Sequence, residues 1–311
     1  MKGQGAIADM INDEYISAME RQLGLWGKEG QMRLRGARVA IAGLGGIGAA
    51  SALMLAKAGV GSIRVCDWDH YDSANIVGQE FATHDDIGRP KVEVALEVMN
   101  KHTKHSVLEG FQADLKLEEE CKRLIADACI LVSAVDNAPA RIALGRAADK
   151  AGIPFVVSAN IGWTATHTVY FPGNNSYKQA WNAQCLKYLE DGYPDMDDPE
   201  TASAIKEEWD IWVAVFSGFA PAAMRQFIEK DSGSYWYAPP PAYFAASLGI
   251  NDVLKIITGS GEPVIYPKGI FYNLISNKYW EWNILIKRYN ALRQVWSKGP
   301  EAILSVMREM N

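Results

Sequence analysis

The first chemical signal is the stretch RVAIAGLGGIG at residues 38–48, in which a short apolar run leads into Gly43, Gly45, Gly46 and Gly48. Glycine lets the backbone take positive φ and lets phosphate oxygens approach main-chain N–H groups, and a following helix N-terminus adds partial positive charge. The helical run AASALMLAKAG comes next. This order predicts a nucleotide site, and the turn alone leaves a nicotinamide dinucleotide and ATP equally open.

An acidic residue, Asp67, follows the second apolar run of the chain. The next apolar run, SIRVCDWD, reaches Asp67, which lies 24 residues after Gly43. In doubly wound folds an acidic residue at a strand end, roughly 20 positions past the first glycine, binds a ribose hydroxyl. We therefore expect Asp67 to hold the ribose.

Further polar residues favour ATP over a dinucleotide. A dehydrogenase needs hydride-handling groups, whereas phosphoryl or nucleotidyl transfer needs cations on the oxygens that gain charge and a carboxylate for Mg²⁺. The fold is expected to bring suitable side chains together at the strand ends. They are Arg21 before the first strand, Asp69, Asn75, Gln79, Lys91, and Asp136 at the end of CILVSAVD.

Strand and helix patterns alternate from residue 38 to about residue 160. Such alternation predicts an α/β fold, Rossmann-like and doubly wound, with a mainly parallel sheet and ligands at the carboxyl ends of its strands. The expected strands after the first two are SVLEGFQADL, CILVSAVD, PFVVSAN and HTVYF, and the expected helices between them are PKVEVALEVMNKH, EEECKRLIADA and APARIALGRAADKAG.

Changes of pattern divide the chain into four parts. Residues 1–37 are expected to form a helical lead-in, 38–173 the nucleotide-binding domain, and 174–241 an insertion. Residues 242–311 are expected to form a returning helix, within AYFAASLGINDVLKIITGSG and capped near Gly259, with a C-terminal extension. The extension begins with a β-like aromatic run and ends in an amphipathic pattern. The insertion is rich in aromatic residues between Trp181 and Trp236, so we expect it to pack on the core, on a dimer mate or on a substrate.

Composition limits the possible partners. The chain has 311 residues, is 49% apolar and has a net charge of −6. No run of five like charges occurs, which argues against a nucleic-acid or anionic-membrane partner, and no signal peptide or long apolar segment is recognisable. A cytoplasmic protein with a small or peptidic substrate is the expectation. The four cysteines form no C-x-x-C pair, so no structural zinc is expected.

Several motifs in one order resemble the ubiquitin-activating-enzyme-like adenylyltransferases of the ThiF/MoeB type. The resemblance covers residues 15–173 and the segment SLGINDVLKIITG, and its motifs are ERQLGLWGKEGQMRLRGARVAIAGLGGIG, DWDHYDSANIVGQEFATHDDIGRPKVEVA and SAVDNAPAR. The family activates a carboxylate by attack on the α-phosphate of ATP. Its substrate is usually the C-terminal glycine of a small ubiquitin-like protein, and in some members it is a short ribosomal peptide, as in microcin C or pantocin biosynthesis.

The resemblance implies roles for the residues already singled out. It implies that the glycine turn, Asp67 and Asp69 hold the nucleotide, that Asn75, Gln79 and Lys91 bind the triphosphate, and that Asp136 coordinates Mg²⁺. It also implies a homodimer in which Arg21 reaches the γ-phosphate in the partner subunit's site. A peptide or a small ubiquitin-like protein is the implied substrate, and peptide modification the implied purpose.

The chain also departs from the family pattern. Ala74 and Gly78 stand where the family motif has serine and arginine, so one expected phosphate-binding cation is missing. Cys185 is the only cysteine in the crossover region that could form a thioester. Two other interpretations stay open at this stage: a catalytically silent partner subunit, which Gly78 favours, and a nicotinamide-dependent dehydrogenase.

Overall fold

The computed structural model describes residues 14–173, 176–180, 186–216 and 237–283. Within these ranges it has one eight-stranded sheet with helices on both faces. None of the helices described there is long and apolar enough to cross a membrane. Cys185, the candidate for thioester formation, and the amphipathic run at the C-terminus lie outside the described residues.

The sheet has the strand order β3-β2-β1-β4-β5-β6-β7-β8. The pairs from β3 to β5 are parallel, for example with Val39 aligned to Ile63 on one side and to Ile130 on the other, and the pairs from β5 to β8 are antiparallel. The strands are β1 (Arg38–Ala42), β2 (Ser62–Cys66), β3 (Val107–Phe111), β4 (Ile130–Ser133), β5 (Phe155–Ile161), β6 (Thr164–Tyr170), β7 (Lys268–Asn273) and β8 (Lys278–Asn283).

Two hydrophobic cores cover the two faces of the sheet. One core joins the strands to α1, α2, α3 and α7, and the other joins them to α4 and α5, which makes the fold doubly wound. The helices are α1 (Glu20–Gly36), α2 (Gly46–Lys57), α3 (Lys91–His102), α4 (Glu118–Ile125), α5 (Ala138–Ala151), α6 (Pro199–Phe216) and α7 (Pro239–Thr258). The expected Rossmann-like, mainly parallel architecture is confirmed.

The structure differs from the sequence expectation after residue 173. The insertion contains the regular helix α6, and the returning helix α7 begins at Pro239, before residue 242, because proline without its N–H is well suited to the first turn of a helix. The strand β7 was not foreseen; it pairs with β6 and carries the C-terminal extension into the sheet as an antiparallel edge.

A buried polar network fastens α7 to the sheet. The His167 imidazole donates from Nε2 to Asp252 at 2.9 Å, since a carboxylate only accepts, and its Nδ1 lies 3.1 Å from the Ser158 hydroxyl. Asp252 also accepts from the Val264 N–H at 2.7 Å and from Lys255 at 2.8 Å. Burial would raise the pKa of Asp252, but the hydrogen bonds from His167 and Lys255 outweigh it and hold this pKa below its usual value. The network therefore fixes how α7 sits on β5 and β6.

The Asp252→Ala variant should lose about 3 kcal/mol of unfolding free energy, because it leaves His167 and the Val264 N–H buried without an acceptor. Urea unfolding followed by circular dichroism measures the loss. The matched control is Lys255→Ala, which removes a partly exposed partner of the same carboxylate and should cost less than about 1 kcal/mol. Equal losses in the two variants would contradict this account.

The same carboxylate sets an acid limit on stability. A lowered folded-state pKa contributes stability above the unfolded pKa of about 3.9, and that contribution disappears as the pH falls through the folded value. The wild-type protein should therefore lose this contribution only in strongly acidic solution, and the Asp252→Ala variant should lack that part of its acid dependence.

Candidate functional site

A cavity of about 580 Å³ opens where the strand order of the sheet reverses. The strands β1 and β4 are neighbours, but the helices that follow them, α2 and α5, pack on opposite faces. A crevice therefore forms between the carboxyl ends of the two strands, which is the usual ligand site of open α/β sheets.

Nine of the eleven residues expected at the site line this cavity. They are Gly43, Gly45, Gly46, Asp67, Asp69, Asn75, Gln79, Lys91 and Asp136. The two that do not line it are Gly48, which lies within α2, and Arg21, which is exposed on α1.

The glycine turn is shaped by backbone contacts. Gly43 has a φ of +89°, and its N–H donates to the Cys66 carbonyl at 2.8 Å, which joins the turn to the end of β2. A side chain on Gly48 would collide with the Gly43 carbonyl oxygen. Gly45 has open space where a side chain would be, since the nearest atom, Gln79 Nε2, lies 3.9 Å away. The turn thus leaves its main chain accessible from the cavity.

Asp67 holds the turn in place. One of its carboxylate oxygens accepts from the Leu44 N–H at 2.6 Å, and the other accepts from the Asp69 N–H at 2.9 Å. Burial raises the pKa of Asp67, and the charge of Lys91 offsets part of this effect. Each carboxylate oxygen can accept more than one hydrogen bond, so a ribose hydroxyl could still bind there.

Lys91 is a buried cation at the start of α3. Its Nζ donates to Asp69 at 2.6 Å and lies 5.8 Å from the centre of the Tyr71 ring. Burial would raise the pKa of Asp69, but the Lys91 hydrogen bond and charge outweigh it and hold the pKa below its usual value. The ion pair with Asp69 holds the ammonium group at the wall of the cavity.

Asp136 carries the carboxylate that is most available to a ligand. It is exposed at the end of β4, and its side chain makes no hydrogen bond or ion pair with the described part of the chain. The next residue, Asn137, caps α5 by accepting from the Ala140 N–H at 2.9 Å, which fixes the backbone on which Asp136 stands. Within the described ranges, no three His, Cys, Asp and Glu side chains gather into a metal site.

The cavity continues beyond the nucleotide-type residues along the antiparallel half of the sheet. Its wall there is formed by side chains from β5, β6 and β7, together with Arg141 from α5 and Trp209 from α6. The Arg141 guanidinium carbon lies 4.6 Å from the centre of the Trp209 ring. The strand residues of this wall are Val157, Ser158, Ala159, Asn160, Ile161, Thr166, Thr168, Tyr170 and Phe271.

The sequence did not settle two residues of this site. Arg141 could have been a solvated residue or a local ion-pair partner, but it is 7% exposed and donates to the Val135 carbonyl beside Asp136. Tyr237 was not foreseen at all. It lines the cavity next to Gln79, although the two are far apart along the chain, and no local pattern connects them.

A buried thiol lies beside the glycine turn. Cys66 lines the cavity, and burial followed by the charge of Asp67 raises its pKa to about 12. It is therefore protonated at neutral pH.

Comparison with known proteins agrees with the fold. Two solved structures superimpose on 86% of the chain. PaaA has a TM-score of 0.64 and 20% identity, with 73% of its own chain covered. Escherichia coli MccB has a TM-score of 0.63 and 22% identity, with 70% of its own chain covered. At this level of identity the likeness concerns the fold alone.

Sequence relatives match a shorter stretch. The chain is 35% identical over 170 residues to the sulfur carrier protein ThiS adenylyltransferase of Bacillus subtilis, which covers 54% of the chain and 48% of that enzyme. It is 32% identical over 162 residues to the molybdopterin-synthase adenylyltransferase of Escherichia coli, covering 51% of the chain and 65% of that enzyme. The match therefore spans about half to two thirds of each relative.

The model of the ThiF family matches residues 19–291, which include the glycine turn, both halves of the sheet and the described helices from Glu20 onward. The cavity at the point where the strand order reverses lies wholly inside the matched range. The chain therefore belongs to the ThiF family.

Proposed function

We propose that this protein uses ATP to adenylylate a carboxylate on a peptide or a small protein. A carboxylate oxygen attacks the α-phosphorus of ATP, the bond from that phosphorus to the bridging oxygen breaks, and an acyl-adenylate and pyrophosphate are formed. The observation that carries the proposal is that one cavity brings a glycine turn, the Lys91 cation and the Asp136 carboxylate together with a second wall of apolar, aromatic and uncharged polar side chains. The names of the sequence relatives, both adenylyltransferases, support it.

Each residue has a role that its surroundings allow. The open main chain at Gly45 suits the approach of phosphate oxygens, and Asp67 would bind the ribose. The amide groups of Asn75 and Gln79 and the ammonium group of Lys91 would bind the triphosphate. Lys91 would also stabilise the charge that develops on the leaving pyrophosphate, since it is a fixed cation in a buried position.

Asp136 would hold Mg²⁺ together with the phosphates. Magnesium prefers oxygen ligands and is usually bound by one or two carboxylates plus substrate phosphates. This fits a carboxylate at the cavity that has no partner among the described residues. When bound, the ion would supply positive charge to the phosphate oxygens. Asp136 would fix the position of the ion, because the backbone beside it is held by the Asn137 cap of α5.

The Asp136→Ala variant should lose about 2.7 to 4 kcal/mol of transition-state stabilisation, or roughly a hundredfold to a thousandfold in rate, by comparison with the loss of one oxyanion-hole donor. The measurement is ATP–pyrophosphate exchange with Mg²⁺, screened against candidate peptides and small ubiquitin-like proteins. The matched control is Asp85→Ala, which removes an exposed carboxylate away from the cavity and should leave the exchange unchanged. Wild-type protein that binds ATP but exchanges with no substrate would instead favour a silent partner subunit.

The aromatic half of the cavity would bind the substrate segment that carries the carboxylate. Trp209 stacks on Arg141, and its buried Nε1 has no hydrogen-bond partner among the described residues. Trp209 belongs to the insertion, which supports the hypothesis that this segment covers a peptide. By their names, relatives act on a sulfur carrier protein, and MccB has been solved with N-formylated MccA.

The Trp209→Ala variant should raise the KM for the carboxylate substrate by about tenfold or more, because an aromatic contact and an N–H donor are lost, and should leave the KM for ATP within about twofold. Steady-state exchange with each substrate varied in turn measures both values. Trp209→Phe keeps the ring and is the matched control, with a smaller expected effect. Equal increases in both KM values would show that Trp209 acts on the whole fold.

A homodimer would complete the site with Arg21 of the partner subunit. Arg21 is exposed on α1 and does not line the cavity of its own chain. A second copy is therefore the way in which this cation could reach a triphosphate, as the family resemblance implies.

A mixing experiment tests the shared site. Arg21→Ala and Asp136→Ala homodimers should each be nearly inactive, but a one-to-one mixture that exchanges subunits should recover about a quarter of the wild-type activity. Half of its dimers are mixed, and one of the two sites in each mixed dimer has both residues intact. A mixture that stays inactive after subunit exchange has been verified by native mass spectrometry would contradict the shared site.

A further inference from the structure

Tyr237 occupies the space above Gly78, where the family motif has arginine. A Cβ atom at residue 78 would meet Tyr237 Cε2 at 2.6 Å, Cζ at 3.2 Å and Oη at 3.2 Å, and these are its three nearest neighbours. The φ of Gly78 is −155°, an extended value that any residue adopts. The glycine is therefore required by the tyrosine ring and not by the backbone.

The Tyr237 ring has further packing contacts. Tyr237 packs against the small apolar cluster formed by Ile47, at the start of α2, and Ala242 and its neighbours in α7. Its backbone also forms an isolated parallel bridge with Gly162. A ring supported in this way cannot easily turn aside, so a side chain at residue 78 and the aromatic ring at residue 237 exclude each other.

The phenol group lies among the groups assigned to the triphosphate. Gln79 hydrogen-bonds to it, and because Gln79 Oε1 is buried without a partner, the bond comes from the Nε2 donor. The phenol thus accepts from Gln79 and keeps its own O–H as a donor. Burial raises the pKa of Tyr237, while the Gln79 bond and the Lys91 charge only partly offset this, so the phenol is protonated at neutral pH.

We propose that Tyr237 is a triphosphate-binding residue of this site, and that its phenol donates to a phosphate oxygen from the space that the arginine would fill. This inference rests on the proposed use of ATP. It explains why glycine can replace the family arginine at residue 78 without loss of activity. In this chain a neutral hydrogen-bond donor from the segment before α7 takes the place of the cation. Lys91 remains the buried charge at this end of the cavity.

The first test removes only the hydroxyl group. Tyr237→Phe keeps the ring on Gly78, and its affinity for ATP should fall about tenfold to a hundredfold, the range for a lost hydrogen bond to a charged group. Its affinity for AMP and adenosine should stay within about twofold of wild type. Isothermal titration calorimetry measures all three ligands. An equal loss for adenosine would show a structural effect and overturn the proposal.

The second test exploits the mutual exclusion. Gly78→Arg alone should abolish ATP binding because the new side chain collides with the ring, and Tyr237→Ala alone should weaken binding at least as much as Tyr237→Phe. The double variant Gly78→Arg/Tyr237→Ala has room for the arginine and should bind ATP more tightly than either single variant. A double variant no better than Tyr237→Ala would overturn the proposal.

The outcomes separate this inference from the proposed function. Wild-type protein without affinity for ATP would overturn both. Wild-type protein that binds ATP with the same affinity as Tyr237→Phe would overturn the role of Tyr237 and leave the adenylylation proposal intact. Thermal unfolding of each variant establishes that a loss of binding occurs in folded protein.

Discussion

The structure depends on the opposite placement of the helices that follow β1 and β4. Because α2 and α5 pack on different faces of the sheet, the carboxyl ends of these neighbouring strands are left uncovered, and a cavity opens between them. The residues assigned to the nucleotide reach this cavity from the carboxyl ends of the strands, from the first turn of a helix and from the segments that join them. The right-handed crossovers of a doubly wound sheet produce such a crevice wherever the strand order reverses. The fold therefore determines where the cavity lies, and the residues after the strands determine which chemical groups line it.

Hydrogen bonds to the backbone, and not only side chains that face a ligand, keep the cavity in shape. Asp67 joins the glycine turn to the segment after β2 through the N–H groups of Leu44 and Asp69. Arg141 donates to the Val135 carbonyl next to Asp136 and stacks on Trp209. These contacts satisfy buried polar groups that would otherwise cost free energy, and they also fix the positions of the residues that remain free to bind.

The antiparallel half of the sheet forms a wall of the cavity that differs chemically from the nucleotide-type end. The parallel half ends in glycine and charged residues, whereas β5, β6 and β7 present apolar, aromatic and uncharged polar side chains. The buried network around His167 holds α7 against the sheet. A site with one polar and one apolar end suits a reaction between a nucleotide and a larger acyl substrate. The segment before α7 contributes Tyr237 to the polar end, so both halves of the chain build one site.

The sequence by itself determined the α/β architecture, the glycine turn and the order of the polar residues, because hydrophobic periodicity and local motifs act over short distances along the chain. It also indicated Lys91 and Asp136, which follow directly from strand and helix ends. Only the tertiary structure decided which contacts these residues make: that Asp67 is tied to the turn, and that Tyr237 lies on Gly78. It likewise decided that β7 joins the sheet. Such features depend on packing between segments that are distant in sequence, and no local propensity encodes them.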